Sequence, residues 1–320
     1  MSLTSHIINR CLGEQPNRPL LALISVLMPG RFMAELYRNS FNGAPKMSPR
    51  AAGGNAPGAP TRPVWGEKKA AFTLSFDLDL EEDIDAIPWL IETLAPYPFK
   101  ASFALIGKWV EIKPEAHAAI VKAGHEIINH TYSHPWSEIF NPRPFPSLDY
   151  SGQLEEIARG HETIYKLLGV APIGFRLPHL ESAPSIYPML HDLGYRYSSS
   201  ALSRRTQVTP FLTNDAIWEF PLSQCPRHPS SVFDTYHAFR STSKLFQVRR
   251  EDEDTFFDSF RKLLALSIAT GAHLNVYFDP MDVRRFANFG RFLDHVIAHE
   301  NDLVTGSYRD LLPVLEKSRC

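Results

Sequence analysis

Four short stretches set acids, imidazoles and a guanidinium in patterns suited to catalysis. In SFDLDLEED, Asp77 and Asp79 follow the apolar run Phe72–Phe76 with one residue between them. An extended chain points both to the same side. Two such carboxylates cannot both stay ionised in a dry site unless a cation or a shared proton neutralises them, so the pair suggests one metal ligand and one acid/base group. A solvated acidic loop is the plain alternative, because Glu81, Glu82, Asp83 and Asp85 follow. His130 and His134, in INHTYSHPW, stand four apart directly after Ile127 and Ile128. Neutral imidazoles at that spacing can converge on one divalent ion. Spacing alone is weak evidence among 13 histidines, and a second pair, His295 and His299 in LDHVIAHE, reads as surface or packing on an amphipathic helix. Arg176 in GFRLPHL ends another apolar run before Pro178, where a guanidinium can hold a carboxylate in a two-pronged bond or make an ordinary salt bridge. Asp279 in YFDPMD ends the last long run, again before a proline, with an Asp-Pro turn as the alternative.

From Ala70 onward, apolar runs at 71–76, 101–107, 125–129, 173–177, 195–200, 216–220 and 273–278 alternate with helical patterns. That alternation predicts a parallel α/β sheet or barrel. Leu154, Ile157, Ala158, His161, Ile164, Tyr165 and Leu168 recur at helical spacing, and Gly169 follows as a stop. The stretch Asp252–Thr270 opens acidic and closes before Gly271, the charge and glycine pattern of a second helix that feeds the run 273–278. Functional groups in such folds sit at the C-terminal ends of strands, which is where Asp77, Asp79, His130, His134, Arg176 and Asp279 fall.

With 44% hydrophobic residues, the 320-residue chain has enough apolar side chains for a sizeable core. Lys and Arg number 33 against 35 Asp and Glu, for a net charge of −2 and no basic stripe, so nucleic acid is not an expected partner. Cys11, Cys225 and Cys320 are odd in number and far apart, a pattern that suggests neither a disulfide framework nor a thiolate zinc site. Residues 1–42 read as a partly apolar N-terminal extension, residues 43–65 as a Pro/Gly-rich linker, and residues 66–320 as the folded domain that carries the candidate site. The apolar segment 20–33 is too short and too interrupted to span a membrane. It suits peripheral membrane contact, so the expected location is cytoplasmic or membrane-peripheral rather than secreted.

Taken in order, SFDLD, HTYSH, FRLP and the final run before a proline resemble the polysaccharide deacetylase family, the NodB-homology domain of carbohydrate esterase family four. The resemblance covers roughly residues 68–318, including SIYPMLHDLGYRYSSS and VTGSYRDLLPVLEK. It implies a distorted (β/α) barrel that holds one divalent metal, usually zinc or cobalt, and removes acetyl groups from N-acetylated sugars. The implied ligands are Asp79, His130 and His134; the implied base is Asp77, oriented by Arg176. The family usually writes its first motif as two adjacent acids, and here Leu78 is inserted, as in a subset of its members. The His179 N–H matches the family's oxyanion donor. Where the family has a histidine acid after the last strand, this chain has Asp279, so either Asp279 works protonated, His179 takes over, or turnover is lost. Ser198, Ser199 and Ser200 stand where an arginine-supporting aspartate is usual. The expected substrate is an N-acetylated amino sugar of a polysaccharide, oligosaccharide or lipid-linked glycan. A deformylase or amidase on another linear amide, and an inactive glycan-binding member, are the alternatives. Trp109, Tyr132, Trp136, Phe140, Phe145 and Trp218, with the loop Pro135–Pro146, are candidate sugar-facing aromatics.

Overall fold

The computed structural model describes residues 64–180, 186–203, 208–227, 231–240 and 251–319. The expected extension, the apolar segment 20–33 and the linker up to Pro63 lie outside the described residues. Val64 and Trp65, at the end of the expected linker, pack into the domain, and the Trp65 indole donates to Gly271 O at 2.9 Å. No helix among the described residues is long and apolar enough to cross a membrane.

Nine strands form one curled sheet: β1 (Ala70–Leu78), β2 (Ser102–Leu105), β3 (Glu126–Asn129), β4 (Gly174–Phe175), β5 (Tyr197–Ser198), β6 (Phe211–Leu212), β7 (Trp218–Glu219), β8 (His273–Phe278) and β9 (Leu303–Thr305). Their order is β6-β7-β5-β4-β3-β2-β1-β8, with β9 also paired to β1. Every pairing is parallel except β6 with β7. Past β7 the chain curls back to β8, where Ser223 N donates to Asn275 O at 2.8 Å and nearly closes the barrel. This is the distorted (β/α) barrel that the family resemblance implies, and one of the two architectures, parallel sheet or barrel, that the alternation of runs and helices leaves open.

Strand alternation decides which side chains enter the barrel. Along β1, Phe72, Leu74, Phe76 and Leu78 join the outer core beneath the helices, whereas Ala71 belongs to an inner core with Ala104, Ile128, Tyr197, Phe220 and Tyr308. Thr73, Ser75 and Asp77 share the inward side with Ala71. On β8 the same alternation turns Leu274, Val276 and Phe278 outward and His273, Asn275 and Tyr277 inward. The interior of this barrel is therefore partly polar, and the polar residues climb toward the strand ends that carry the acids.

Five helices bear on the site: α1 (Gly107–Ile112), α2 (Tyr150–Leu168), α3 (Glu253–Thr270), α4 (Gly290–Ile297) and α5 (Tyr308–Arg319). Helices α2 and α3 begin at Asp149 and Asp252, whose carboxylates accept the Gly152 and Thr255 amides. They stop at the left-handed glycines Gly169 and Gly271, as the sequence predicts. Leu311, Leu312 and Leu315 of α5 fill the barrel opposite the strand ends that carry the acids, and Tyr308 rises from that plug into the interior.

Candidate active site

Asp77 ends the inward row of β1, Asp79 lies one residue beyond that strand, His130 one beyond β3, Arg176 one beyond β4 and Asp279 one beyond β8. Parallel register brings these ends level: Asp77 pairs with Ala104, Leu105 with Asn129, and Asn129 with Phe175. His130 and His134 belong to a loop clamped between α1 and α2. Gly107 N and Lys108 N of α1 donate to Thr131 O and Tyr132 O at 3.0 and 2.8 Å, and Tyr132 N donates to Glu156 O of α2 at 2.9 Å. The clamp holds unusual backbone. Thr131, His134, Trp136, His179 and Leu180 all adopt left-handed φ between 50° and 73°, and five of the six such non-glycine residues described thus flank one spot.

At that spot one ligand atom each from Asp79, His130 and His134 lies within 4.8 Å of the others, the one such His/Cys/Asp/Glu group among the described residues. Asp79 Oδ1 is 3.4 Å from His130 Nε2 and 3.5 Å from His134 Nε2. His130 Nδ1 meets Arg176 O at 2.7 Å, which fixes the ring and turns Nε2 toward the carboxylates. Asp79 Oδ1 and His134 Nε2 are buried without a hydrogen-bond partner among the described residues. Burial pushes His134 down to about 3, so the ring is neutral and its lone pair is available. Burial favours protonation of Asp79, but His134 and His130 more than offset it and hold the carboxyl below the usual range. One carboxylate oxygen and two imidazole nitrogens converging in this way fit a divalent ion of the zinc type, the metal expected from the sequence as zinc or cobalt.

Asp77 stands beside the triad, its Oδ2 4.0 Å from His130 Nε2, while its Oδ1 accepts the Arg176 guanidinium. Burial raises its pKa, and Arg176 and His130 oppose that rise without cancelling it. Arg176 itself is fully buried and spends its other donors on neutral partners. Nε donates to Ser199 O at 3.1 Å, and Nη2 lies 2.8 Å from Ser75 Oγ, 2.6 Å from Tyr308 Oη and 3.3 Å from Ser199 Oγ. Ser199 thus meets the guanidinium with both a carbonyl and a hydroxyl. Ser75, Asn275 and Tyr308 escaped the sequence reading, although Ser75 shares the inward side of β1 with Asp77 and Asn275 that of β8 with Asp279.

The remaining expected residues are placed less uniformly. His179 is exposed, its ring 4.8 Å from that of His134 and 5.3 Å from that of Trp136. Asp279 is buried, its amide on Thr235 Oγ1 at 2.8 Å and its carboxylate ion-paired to Arg240, which also donates to Asp282 at 2.9 Å. Sequence reasoning missed Arg240, which arrives on a π-helical turn, Tyr236–Arg240, with no periodic signal. Of the six candidate aromatics, Trp109, Tyr132, Phe145 and Trp218 are core residues and Phe140 packs edge-on against Trp109, whereas Trp136 is 54% exposed. His295 and His299 pack ring to ring at the C-terminal end of α4, outside the triad, as read from sequence.

Residues 66–198 match the polysaccharide deacetylase family. A stretch of 113 residues is 34% identical to the peptidoglycan-N-acetylglucosamine deacetylase of Bacillus cereus, covering 35% of this chain and 38% of that protein. A further 89-residue match, 32% identical, is to the uncharacterized protein YlxY of Bacillus subtilis and covers 28% and 25% of the two chains. The chain therefore spans well under half the length of either relative. Among solved structures, a Mycobacterium smegmatis protein described as a polysaccharide deacetylase superposes with a TM-score of 0.66 at 19% identity, covering 84% of this chain and 93% of that one. Puue allantoinase superposes with a TM-score of 0.63 at 14% identity, covering 83% and 95%. At these identities the two structures speak for the shared fold alone. The ordered motifs and the barrel agree with that match, and residues 66–198, which hold Asp77, Asp79, His130, His134 and Arg176, are the part of the chain that matches the polysaccharide deacetylase family.

Proposed function

We propose that the domain is a metal-dependent hydrolase that removes the N-acetyl group from an amino-sugar residue of a glycan. The convergence of Asp79, His130 and His134 beside an arginine-held Asp77 is the observation that supports this reading. A divalent ion held by the three ligands supplies an acidified water and a Lewis acid for the acyl oxygen. Asp77 takes the proton of the attacking water on Oδ2, since Arg176 occupies Oδ1. The His179 N–H, in the left-handed turn Pro178–Leu180, donates to the oxyanion, and the exposed His179 ring returns a proton to the leaving amine. Asp279 leaves that role because Arg240 holds its carboxylate. Trp136 offers the sugar a flat apolar face at the rim.

The same Asp279–Arg240 pair favours a second reading, an amidase or deformylase on a different linear amide, because the leaving-group side of the site departs from the family pattern. One experiment addresses both. The purified protein is analysed for bound metal beside His130→Ala, then assayed on N-acetylglucosamine oligomers and formylated sugars for acetate, formate and ammonia. One equivalent of metal in the parent, its loss in the variant, and acetate as the product are expected. Formate or ammonia without acetate selects the second reading. Absence of metal after exposure to zinc or cobalt leaves a glycan-binding domain without turnover.

A further inference from the structure

The buried guanidinium of Arg176 is oriented by a chain of neutral hydrogen bonds that ends on fixed main-chain carbonyls. Asn275 Nδ2 donates to Phe220 O at 2.9 Å and Pro221 O at 3.2 Å, where the chain leaves β7. Those two carbonyls accept only, so the amide group has one permitted orientation, with Oδ1 toward the interior. Tyr308 Oη then donates to Asn275 Oδ1 at 2.8 Å, which leaves its oxygen lone pairs facing Arg176 Nη2 at 2.6 Å. Ser75 is set in the same manner. Its hydroxyl donates to Val276 O at 3.1 Å and accepts from Nη2 at 2.8 Å. Every member is buried, and burial keeps the Tyr308 phenol protonated well past neutral pH.

We propose that Tyr308, oriented by Asn275, is a positioning residue that sets the Arg176 guanidinium and through it the proton-accepting Asp77. Supporting the arginine with a phenol and an amide adds no second negative charge beside Asp77, so the base remains the guanidinium's one contacting carboxylate among the described residues. Tyr308 lies 132 residues from Arg176 and touches no reacting atom. The inference rests on the deacetylase reading for its effect on turnover, but the geometry it claims can be read without turnover.

The test compares the full-length parent with Tyr308→Phe, Arg176→Lys and the double variant, and adds Asn275→Leu as a second break in the chain. Phenylalanine keeps the ring in the core and removes one hydroxyl. For Tyr308→Phe the expected result is a kcat about ten- to a hundredfold lower, the size of one hydrogen bond to a buried charge, with KM within about twofold of the parent. In the Arg176→Lys background the same change should cost little further, because both act through one guanidinium. The Arg176 side-chain N–H resonances are expected to be sharp and slow to exchange in the parent and to broaden in Tyr308→Phe and Asn275→Leu. Undiminished kcat in Tyr308→Phe, or a loss that multiplies with that of Arg176→Lys, overturns the proposal. If the parent hydrolyses none of the amides, the functional reading falls, and the resonances decide alone: unchanged signals overturn the positioning role, broadened ones support it.

Discussion

Arg176 meets five acceptors, yet only Asp77 among them is charged, so the pair carries its own electrostatic balance inside the barrel. Removing one partner of a buried ion pair costs about 3–5 kcal/mol because the other charge is left uncompensated. Asp77→Asn should therefore lower Tm by roughly 10 °C as well as abolish turnover, which thermal melting of the two proteins checks. A variant that loses activity at an unchanged Tm would show that Arg176 has found another counter-charge. At this scale the sequence was informative where a group follows an apolar run: Asp77, Asp79, His130, His134 and Arg176 each follow one, and the barrel gathers all five. Partners were not legible. Arg240 reaches Asp279 from 39 residues away and Tyr308 reaches Arg176 from 132, and neither residue carries a local pattern that announces the contact.

Helix α2 and the ligand loop depend on each other at Gly160. Read along the chain, a glycine in mid-helix is only a cost of about 1 kcal/mol relative to alanine. In the fold, a Cβ there would stand 2.5 Å from Asn129 Oδ1 and 2.8 Å from the Thr131 carbonyl carbon. The close approach lets Asn129 Nδ2 donate to Ile157 O at 2.8 Å and Ser133 N donate to Glu156 Oε2 at 2.9 Å, which pins both sides of His130. Gly160→Ala should cost about 1–3 kcal/mol by overpacking, despite alanine's better helix propensity, and should weaken metal binding as the loop shifts. Metal titration beside a thermal melt checks this; a lower Tm with unchanged metal affinity would uncouple the helix from the ligands. Long periodic elements were readable in advance. The runs behind β1, β2, β3 and β8 and the two glycine-stopped helices stand where the pattern put them. Runs 173–177, 195–200 and 216–220 shrink to the two-residue strands β4, β5 and β7, and β6 and β9 are too short to show a period at all.

Across the whole molecule, the matched motifs and the folding unit have different boundaries. The family match ends at residue 198 and includes Asp77, Asp79, His130, His134 and Arg176. The strand that carries the two acids, however, is held from beyond that point. β1 pairs with β8 from Ala71↔His273 to Phe76↔Phe278 and with β9 from Ala70↔Leu303 to Phe72↔Thr305. Its outer face packs on α3, as where Phe72 meets Phe260 edge-on at 6.0 Å, and its inner face meets Tyr308 through Ser75 at 3.2 Å. Exposing large apolar side chains such as Phe72, Leu74 and Phe76 costs about 1.5–3 kcal/mol each, against a total stability of about 5–15 kcal/mol for a domain. A fragment of residues 66–198, though it keeps every ligand and the base, should therefore lack a cooperative unfolding transition and bind metal far more weakly than residues 64–320. Near-UV circular dichroism and metal titration of the two fragments check this. A fragment that melts cooperatively and binds with full affinity would place the second half of the barrel outside the machinery of the site. Alternating runs and helices reached a parallel α/β sheet or barrel, and the ordered motifs, through the family they resemble, narrowed this to the barrel. Which strand closes on which depends on contacts such as Ser223 N to Asn275 O, made between residues that share no local pattern, and only the folded chain brings them together.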